Sequence, residues 1–166
     1  MWRLVRVFFA QMKSPGLLIA RAERVISEEI PALPDDVRAF YVDLHNIKTV
    51  HPLVVSVHAT ERIELADGYR QTYRVKDRIP LGPFTLPTSY VAHLTVATVG
   101  EVITEARQFP RVRLHGVVTF DSVGASTRIL ERLTIDAPRP LAPITVREAV
   151  KAHVEMLAGI RRHFGG

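Results

Sequence analysis

Cysteine is absent from the chain. That removes a disulfide framework, a thiolate nucleophile and any thiolate-based zinc site together. No apolar run approaches the ~18–20 residues that a membrane span needs. The nine glycines are scattered, and neither a phosphate-cradling glycine loop nor a dinucleotide fingerprint occurs. A Gly-x-Ser-x-Gly elbow is missing too: Gly124-Ala125-Ser126 lacks the closing glycine and precedes a strand pattern. No His-x-x-x-His pair sits on one helix, and His45, His58, His115 and His163 share no spacing that would gather them around an ion. The expectation is therefore no metal and no cofactor. No repeat or linker interrupts the chain.

What is present describes one globular domain. The 166 residues are 47% hydrophobic and 23% charged, enough to bury a core and leave area for a ligand cavity. Twenty-two Lys and Arg against 17 Asp and Glu give a net charge of +5. Eighteen of those cations are Arg, spread singly along the chain rather than in blocks interleaved with aromatics. Such a balance permits anionic partners, but its dispersal is the ordinary solvated surface, and no nucleic acid partner is expected.

Residues 1–20 differ from the rest. Read as a helix, they set Trp2, Val5, Phe8 and Phe9 against Arg3, Arg6 and Lys13. The basic start and apolar middle resemble a secretory signal, yet Gln11, Met12 and Lys13 interrupt the run and no small-x-small cleavage site follows. This N-terminal amphipathic extension reads as packing on the domain, with peripheral membrane contact through 1–13 as the alternative. A cytoplasmic location is the default. Residues 21–166 form the single domain.

Along that domain, 21–30 reads as a strand. Pro31 and Pro34 then punctuate, and Asp35 or Asp36 is placed to cap a helix through Val37, Phe40, Tyr41 and Leu44. His45 to Pro52 is a second short helix or turn. The period then changes from near 3.6 to 2. Strands are expected at 53–65, 69–79, 89–98, 101–109, 112–121 and 126–136, each ended by Gly or Pro turn chemistry, as in an antiparallel meander. The close is a helix over 141–164, whose stripe Val146, Val150, His153, Leu157, Ile160 and Phe164 must lie on the sheet's inner face.

That order, with three short stretches, resembles the START-like superfamily called SRPBCC, which includes polyketide cyclase/dehydrase-like proteins. The first stretch is Phe40-Tyr41-Val42-Asp43-Leu44-His45-Asn46 followed by His51-Pro52, where Val50 replaces the family's usual Trp. The others are Gly124-Ala125-Ser126-Thr127-Arg128-Ile129 and Ala137-Pro138-Arg139-Pro140-Leu141. The resemblance covers about residues 21–164. It implies an α+β helix-grip (START/Bet v 1-like) fold: a curved antiparallel sheet of about seven strands around a long C-terminal helix, with two short helices after strand 1. It also implies a hydrophobic ligand such as a lipid, polyketide, steroid or quinone. The superfamily has no shared catalytic set, so no catalytic residue carries over.

Strand alternation names the inward residues independently, because i, i+2 and i+4 share a face. In the strand from Tyr69 the inward set is Tyr69, Gln71, Tyr73 and Val75, leaving Arg70, Arg74, Lys76 and Arg78 as a basic outer strip. The other inward sets are Tyr90, Ala92, Leu94 and Val96; Val112, Leu114, Gly116, Val118 and Phe120; and Thr127, Ile129, Glu131, Leu133 and Ile135. The expected ligand wall is Gln71, Tyr73, Tyr90, Leu94, Leu114, Val118, Phe120, Ile129, Glu131, His153 and Leu157. The proline-rich segment Ile79–Pro87 reads as a loop, with Leu81, Phe84 and Leu86 as a portal.

Two polar side chains fall on apolar faces, Glu131 and His153. A buried carboxylate needs a partner, a proton or a wet cavity. His153 is a plausible partner, and with Tyr73 these are the catalytic candidates: a base, its helper, and a donor to a developing enolate. Their ordinary alternatives are a hydrogen-bonded core histidine, a paired or snorkelling glutamate and a pocket-wall tyrosine. His51 is assigned to the His-Pro turn. The leading expectation is a binding or carrier domain for a hydrophobic small molecule. Its alternatives are a polyketide cyclase/dehydratase using Glu131 and His153, and an interaction module using Arg70, Arg74 and Arg78. Monomer and homodimer are both open.

Overall fold

The computed structural model describes residues 18–166, so the N-terminal segment 1–17 lies outside it. The chain runs β1 (Ile19–Ile30), α1 (Pro34–Val42), α2 (Leu44–Val50), β2 (Val54–Glu64), β3 (Tyr69–Leu81), β4 (Phe84–Val96), β5 (Val102–Gln108), β6 (Val112–Val123), β7 (Ser126–Pro138) and α3 (Ala142–Gly165). β1 starts two residues before the strand read from sequence.

Helix α1 opens on Pro34, whose fixed φ and missing N–H suit a first turn. Neither aspartate caps it: Leu33 is the N-cap, and Asp35 and Asp36 lie inside the first turn, where their charge complements the helix dipole. Val37, Phe40 and Tyr41, at i, i+3 and i+4, form its buried face. Asp43 separates the two short helices and caps the second, accepting from the His45 N–H at 2.9 Å.

The strands form one antiparallel sheet in the order β1-β7-β6-β5-β4-β3-β2. Neighbouring strands join by hairpins, and β1 pairs with the last strand, Ile19 opposite Pro138 and Ile30 opposite Thr127. Register shifts in β2, between Val54 and Ser56 and between Ala59 and Glu61, add the local bend that helps a sheet curl. Helix α3 closes the concave side: Met156, Leu157 and Ile160 pack with Ile26, Ile30, Ile129 and Leu133. This is the expected helix-grip arrangement of seven strands, two short helices and a long closing helix.

Alternation places the core as expected. Ile129, Glu131, Leu133 and Ile135 are all within 2% of complete burial, whereas Arg70, Arg74, Lys76 and Arg78 are exposed on the outer face of β3. The loop expected at 79–87 is instead a paired hairpin, continuous to Leu81 opposite Phe84. The pairing of β2 to β3 ends at Asp77, and that of β4 to β5 begins at Val91. Residues 79–89 therefore extend past both neighbouring strands as a two-stranded ribbon with open edges, where proline's missing N–H costs no ladder bond. Gly82, at φ 61°, takes the left-handed position of its tight turn. Among the described residues no helix is long and apolar enough to cross a membrane.

Candidate functional site

Glu131 lies in the middle of β7, opposite Ile26 of β1 and Val118 of β6, and is 0% exposed. Its two oxygens are each taken. The Tyr41 hydroxyl, from α1, donates to Oε1 at 2.5 Å. His153 Nδ1, from α3, lies 2.8 Å from Oε2. An ionised carboxylate can only accept, so His153 carries its proton on Nδ1 and leaves Nε2 for other work. Phe120 packs edge-on to Tyr41 at 5.5 Å and holds the phenol over the carboxylate.

Burial alone lowers the pKa of His153, but Glu131, through charge and hydrogen bond, and Asp77, through charge, outweigh it and leave it raised. The hydroxyl of Tyr41 is pushed well up, first by burial and then by the neighbouring Glu131 charge. A carboxylate–imidazole pair of this kind fixes the ring's tautomer and stabilises the imidazolium after proton uptake.

Beside the pair lies a cavity of about 110 Å³. Its apolar wall includes Leu44, Ile47, Val57, Val75, Ala92, Leu94, Ala106, Leu114, Leu133 and Met156; Tyr41, His51, Tyr90, Thr104, Glu105 and His153 supply polar points. Glu131 is not on this wall and acts on it through Tyr41 and His153. A second hollow of about 530 Å³, lined by Arg107, Phe109, Arg111, Arg113 and Asp136 among others, is an open surface groove that touches none of these groups. The smaller cavity, not the larger groove, is the one that Tyr41, His51 and His153 line.

Three site residues carried no such role in the sequence reading. His51 serves its turn, Nδ1 accepting from the Leu53 N–H at 3.3 Å. It also faces His153, ring centres 6.0 Å apart and planes at 85°. Burial, reinforced by the charge of His153, lowers its pKa to about 3. Asp77, the next inward position of β3 after Val75, is 7% exposed and hydrogen-bonded to Tyr90. Burial lifts its pKa to about 6, against the opposing effects of Tyr90 and His153, and Oδ1 has no partner among the described residues. The third is Tyr41, read only as core; a tyrosine on a buried helix face has a hydroxyl to satisfy, and that was the available signal.

Of the expected wall, Tyr90, Leu94, Leu114 and His153 line the cavity. Val118, Ile129 and Leu157, each at most 1% exposed, are solid core instead. Tyr73 lies under the α1–α2 junction, its hydroxyl donating to the Val42 carbonyl at 3.4 Å and its ring 6.0 Å from His45. Gln71 is tied to the Glu61 carbonyl at 2.9 Å. Neither Tyr73 nor Gln71 reaches the cavity wall. Nor do Leu86 and Phe84, which belong to the projecting ribbon; Phe84 is 59% exposed there.

No protein-family model matches the sequence, and no curated protein matches it. Solved structures do. TTHA0849 from Thermus thermophilus superposes with a TM-score of 0.70 at 19% identity, covering 85% of this chain and 95% of its own. The Zhui aromatase/cyclase from Streptomyces sp. R1128 gives 0.67 at 13% identity, with 89% and 94% covered. A STAR-related lipid transfer protein fragment from Xanthomonas axonopodis gives 0.60 at 15% identity, with 87% and 86% covered. At these identities the likeness is one of fold.

Proposed function

We propose that this chain, whose fold is the START-like, SRPBCC-type helix grip, binds a small hydrophobic molecule in the cavity between sheet and α3. The observation that carries the reading is a mostly apolar cavity of about 110 Å³ into which a glutamate-backed imidazole faces. Burying an apolar guest supplies ~25 cal/mol per Å², and the polar points orient it. Size narrows the guest. An apolar cavity of ~150 Å³ takes a benzene ring, so one of about 110 Å³ favours a guest no larger than a small ring or a short chain over an entire lipid. Native mass spectrometry of the purified protein, followed by organic extraction, tests the reading. A stoichiometric apolar compound supports it. An empty protein that gains no thermal stability from small apolar compounds opposes it.

A second reading, proton transfer on a bound polyketide-like guest as in a cyclase or dehydratase, is favoured by one observation. The 2.8 Å contact between Glu131 and His153 makes the imidazole a base whose positive form is stabilised once it takes a proton.

A further inference from the structure

We infer that His51 and His153 form a two-point site for an enolisable carbonyl, His51 holding the oxygen through Nε2–H while His153 Nε2 removes a proton from the adjacent carbon. This deepens the proton-transfer reading and rests on the cavity accepting an apolar guest.

The argument starts from two neighbours in the sequence. Pro52 has no N–H, so the first backbone donor after His51 is that of Leu53, and it is given to His51 Nδ1 at 3.3 Å. A ring nitrogen that accepts is unprotonated, so the proton of neutral His51 is on Nε2. Burial and the nearby imidazole keep that ring neutral across the physiological range, its pKa at about 3. His51 can therefore only donate from Nε2. His153 in its neutral form, which it holds above its raised midpoint, is the mirror case: Nδ1–H is committed to Glu131, and Nε2 is free to accept.

Both rings line the same cavity. Among the described residues neither Nε2 has a hydrogen-bond partner, and neither is among the sealed polar atoms that lack one. Ring centres 6.0 Å apart and planes at 85° give a span that a carbonyl and its α-carbon can bridge, with each contact near ~3 Å.

The step balances without a further reagent. The α-C–H bond breaks and its proton goes to His153 Nε2. The electron pair left on carbon becomes the C=C bond of an enolate as the C=O pair moves onto oxygen. His51 Nε2–H hydrogen-bonds that oxyanion, and Glu131 holds the new imidazolium through Nδ1–H. Return of the proton, to carbon or to oxygen, restores the starting protein. Apolar walls strengthen both electrostatic contacts by excluding water.

Cyclopentanone, small enough for the cavity and readily enolised, is the probe. Binding is followed by amide shifts at cavity residues, and deuterium uptake at its α-carbons in D₂O is followed by NMR. Wild-type protein should accelerate uptake at least tenfold over buffer. H153A should abolish the acceleration, and H51F should bring uptake back close to the buffer rate, since losing one oxyanion donor can cost as much as the whole effect. H51Q, which retains a donor, should recover part of it. Cyclopentanone that binds without faster exchange overturns the inference and leaves the binding reading intact. Undiminished exchange in H51F removes His51 from the step. If neither cyclopentanone nor benzene shifts a cavity resonance, the binding reading fails as well. Should the variants not fold, the wild-type exchange rate alone still decides whether the chemistry occurs.

Discussion

Replacing Glu131 by glutamine keeps the side chain's shape and removes its charge, which separates the electrostatic work of this residue from its packing. The amide oxygen can still accept from Tyr41, as Oε1 does at 2.5 Å. The amide nitrogen then faces His153 Nδ1, now 2.8 Å from Oε2, and donor would meet donor. With the amide turned the other way, its oxygen accepts from His153 Nδ1–H and its NH2 donates to the Tyr41 hydroxyl; in either orientation the negative charge beside the imidazole is gone. A hydrogen bond to a charged group contributes about 1.5–3 kcal/mol and a neutral one about 0.5–1.5, so the substitution should cost about 1–2 kcal/mol. For a domain of this size that lowers Tm by roughly 2–8 °C. E131A should cost more, about 3–5 kcal/mol, because the buried imidazole loses its partner outright. The sharper readout is the imidazole itself. Burial lowers its pKa, and Glu131 is the principal group raising it, so the His153 NMR titration midpoint should fall below the ordinary 6.5 in E131Q. In wild type the folded-state value lies above the unfolded one, so the associated stability is complete below pH 6.5 and fades as pH rises through the folded midpoint. E131Q should flatten that slope. An unchanged His153 midpoint, or a stability loss under ~0.5 kcal/mol, would refute the assignment of Glu131 as the imidazole's counter-charge.

Asp77 behaves oppositely to a salt-bridged carboxylate. With its folded pKa raised from 3.8 to about 6 by burial, the stability from its protonated form is full below pH 3.8 and is lost as pH rises through about 6, of order 2–3 kcal/mol at most. D77N should therefore gain relative to wild type between pH 4 and pH 8 in urea melts; a relative loss contradicts this. Gly159 packs α3 on α2: a Cβ there would meet Val50 Cβ at 2.7 Å and the Val50 carbonyl at 3.1 Å. G159A should cost about 1–3 kcal/mol by overpacking, read by chemical denaturation; a cost under ~0.5 kcal/mol would contradict the tight approach of α3 to α2. Ala92 lines the cavity, so A92L should fill it and abolish any Tm gain from benzene or cyclopentanone; a retained gain would move the binding site elsewhere.

Much of this architecture was legible because strand period and turn chemistry are local properties. Alternation alone put Glu131 and Leu133 inward on β7, and the helical stripe put His153 beside them. The same alternation also reaches Asp77, two residues beyond Val75, but the basic residues flanking it read as the end of a face. The buried face of α3 is wider than its stripe predicts: Ala152, Met156 and Gly159 are buried as well, because this helix is packed on more than one side, by the sheet and by α2. Prolines suggested a loop at 79–87, since nothing local announces that a hairpin will outrun both neighbouring strands. The double duty of His51 was hidden for a related reason. Its turn role is written in the adjacent Pro52, whereas its facing of His153 depends on where a helix a hundred residues later is laid down.

The sheet order also sets when the chain can become competent during synthesis. Strands β2 to β6 are joined hairpin by hairpin and can pair as they emerge, but β1 has no partner until β7 arrives; Arg21 reaches Asp136 across 115 positions. Glu131 and His153 both sit in the last quarter of the polypeptide. The nascent meander thus leaves β6 as an unprotected edge and β1 unpaired, the kind of surface on which incomplete chains associate. Closure of the sheet by β7 and delivery of His153 by α3 are then both late events, and a chain ending before α3 carries the wall of a pocket without Glu131's imidazole partner.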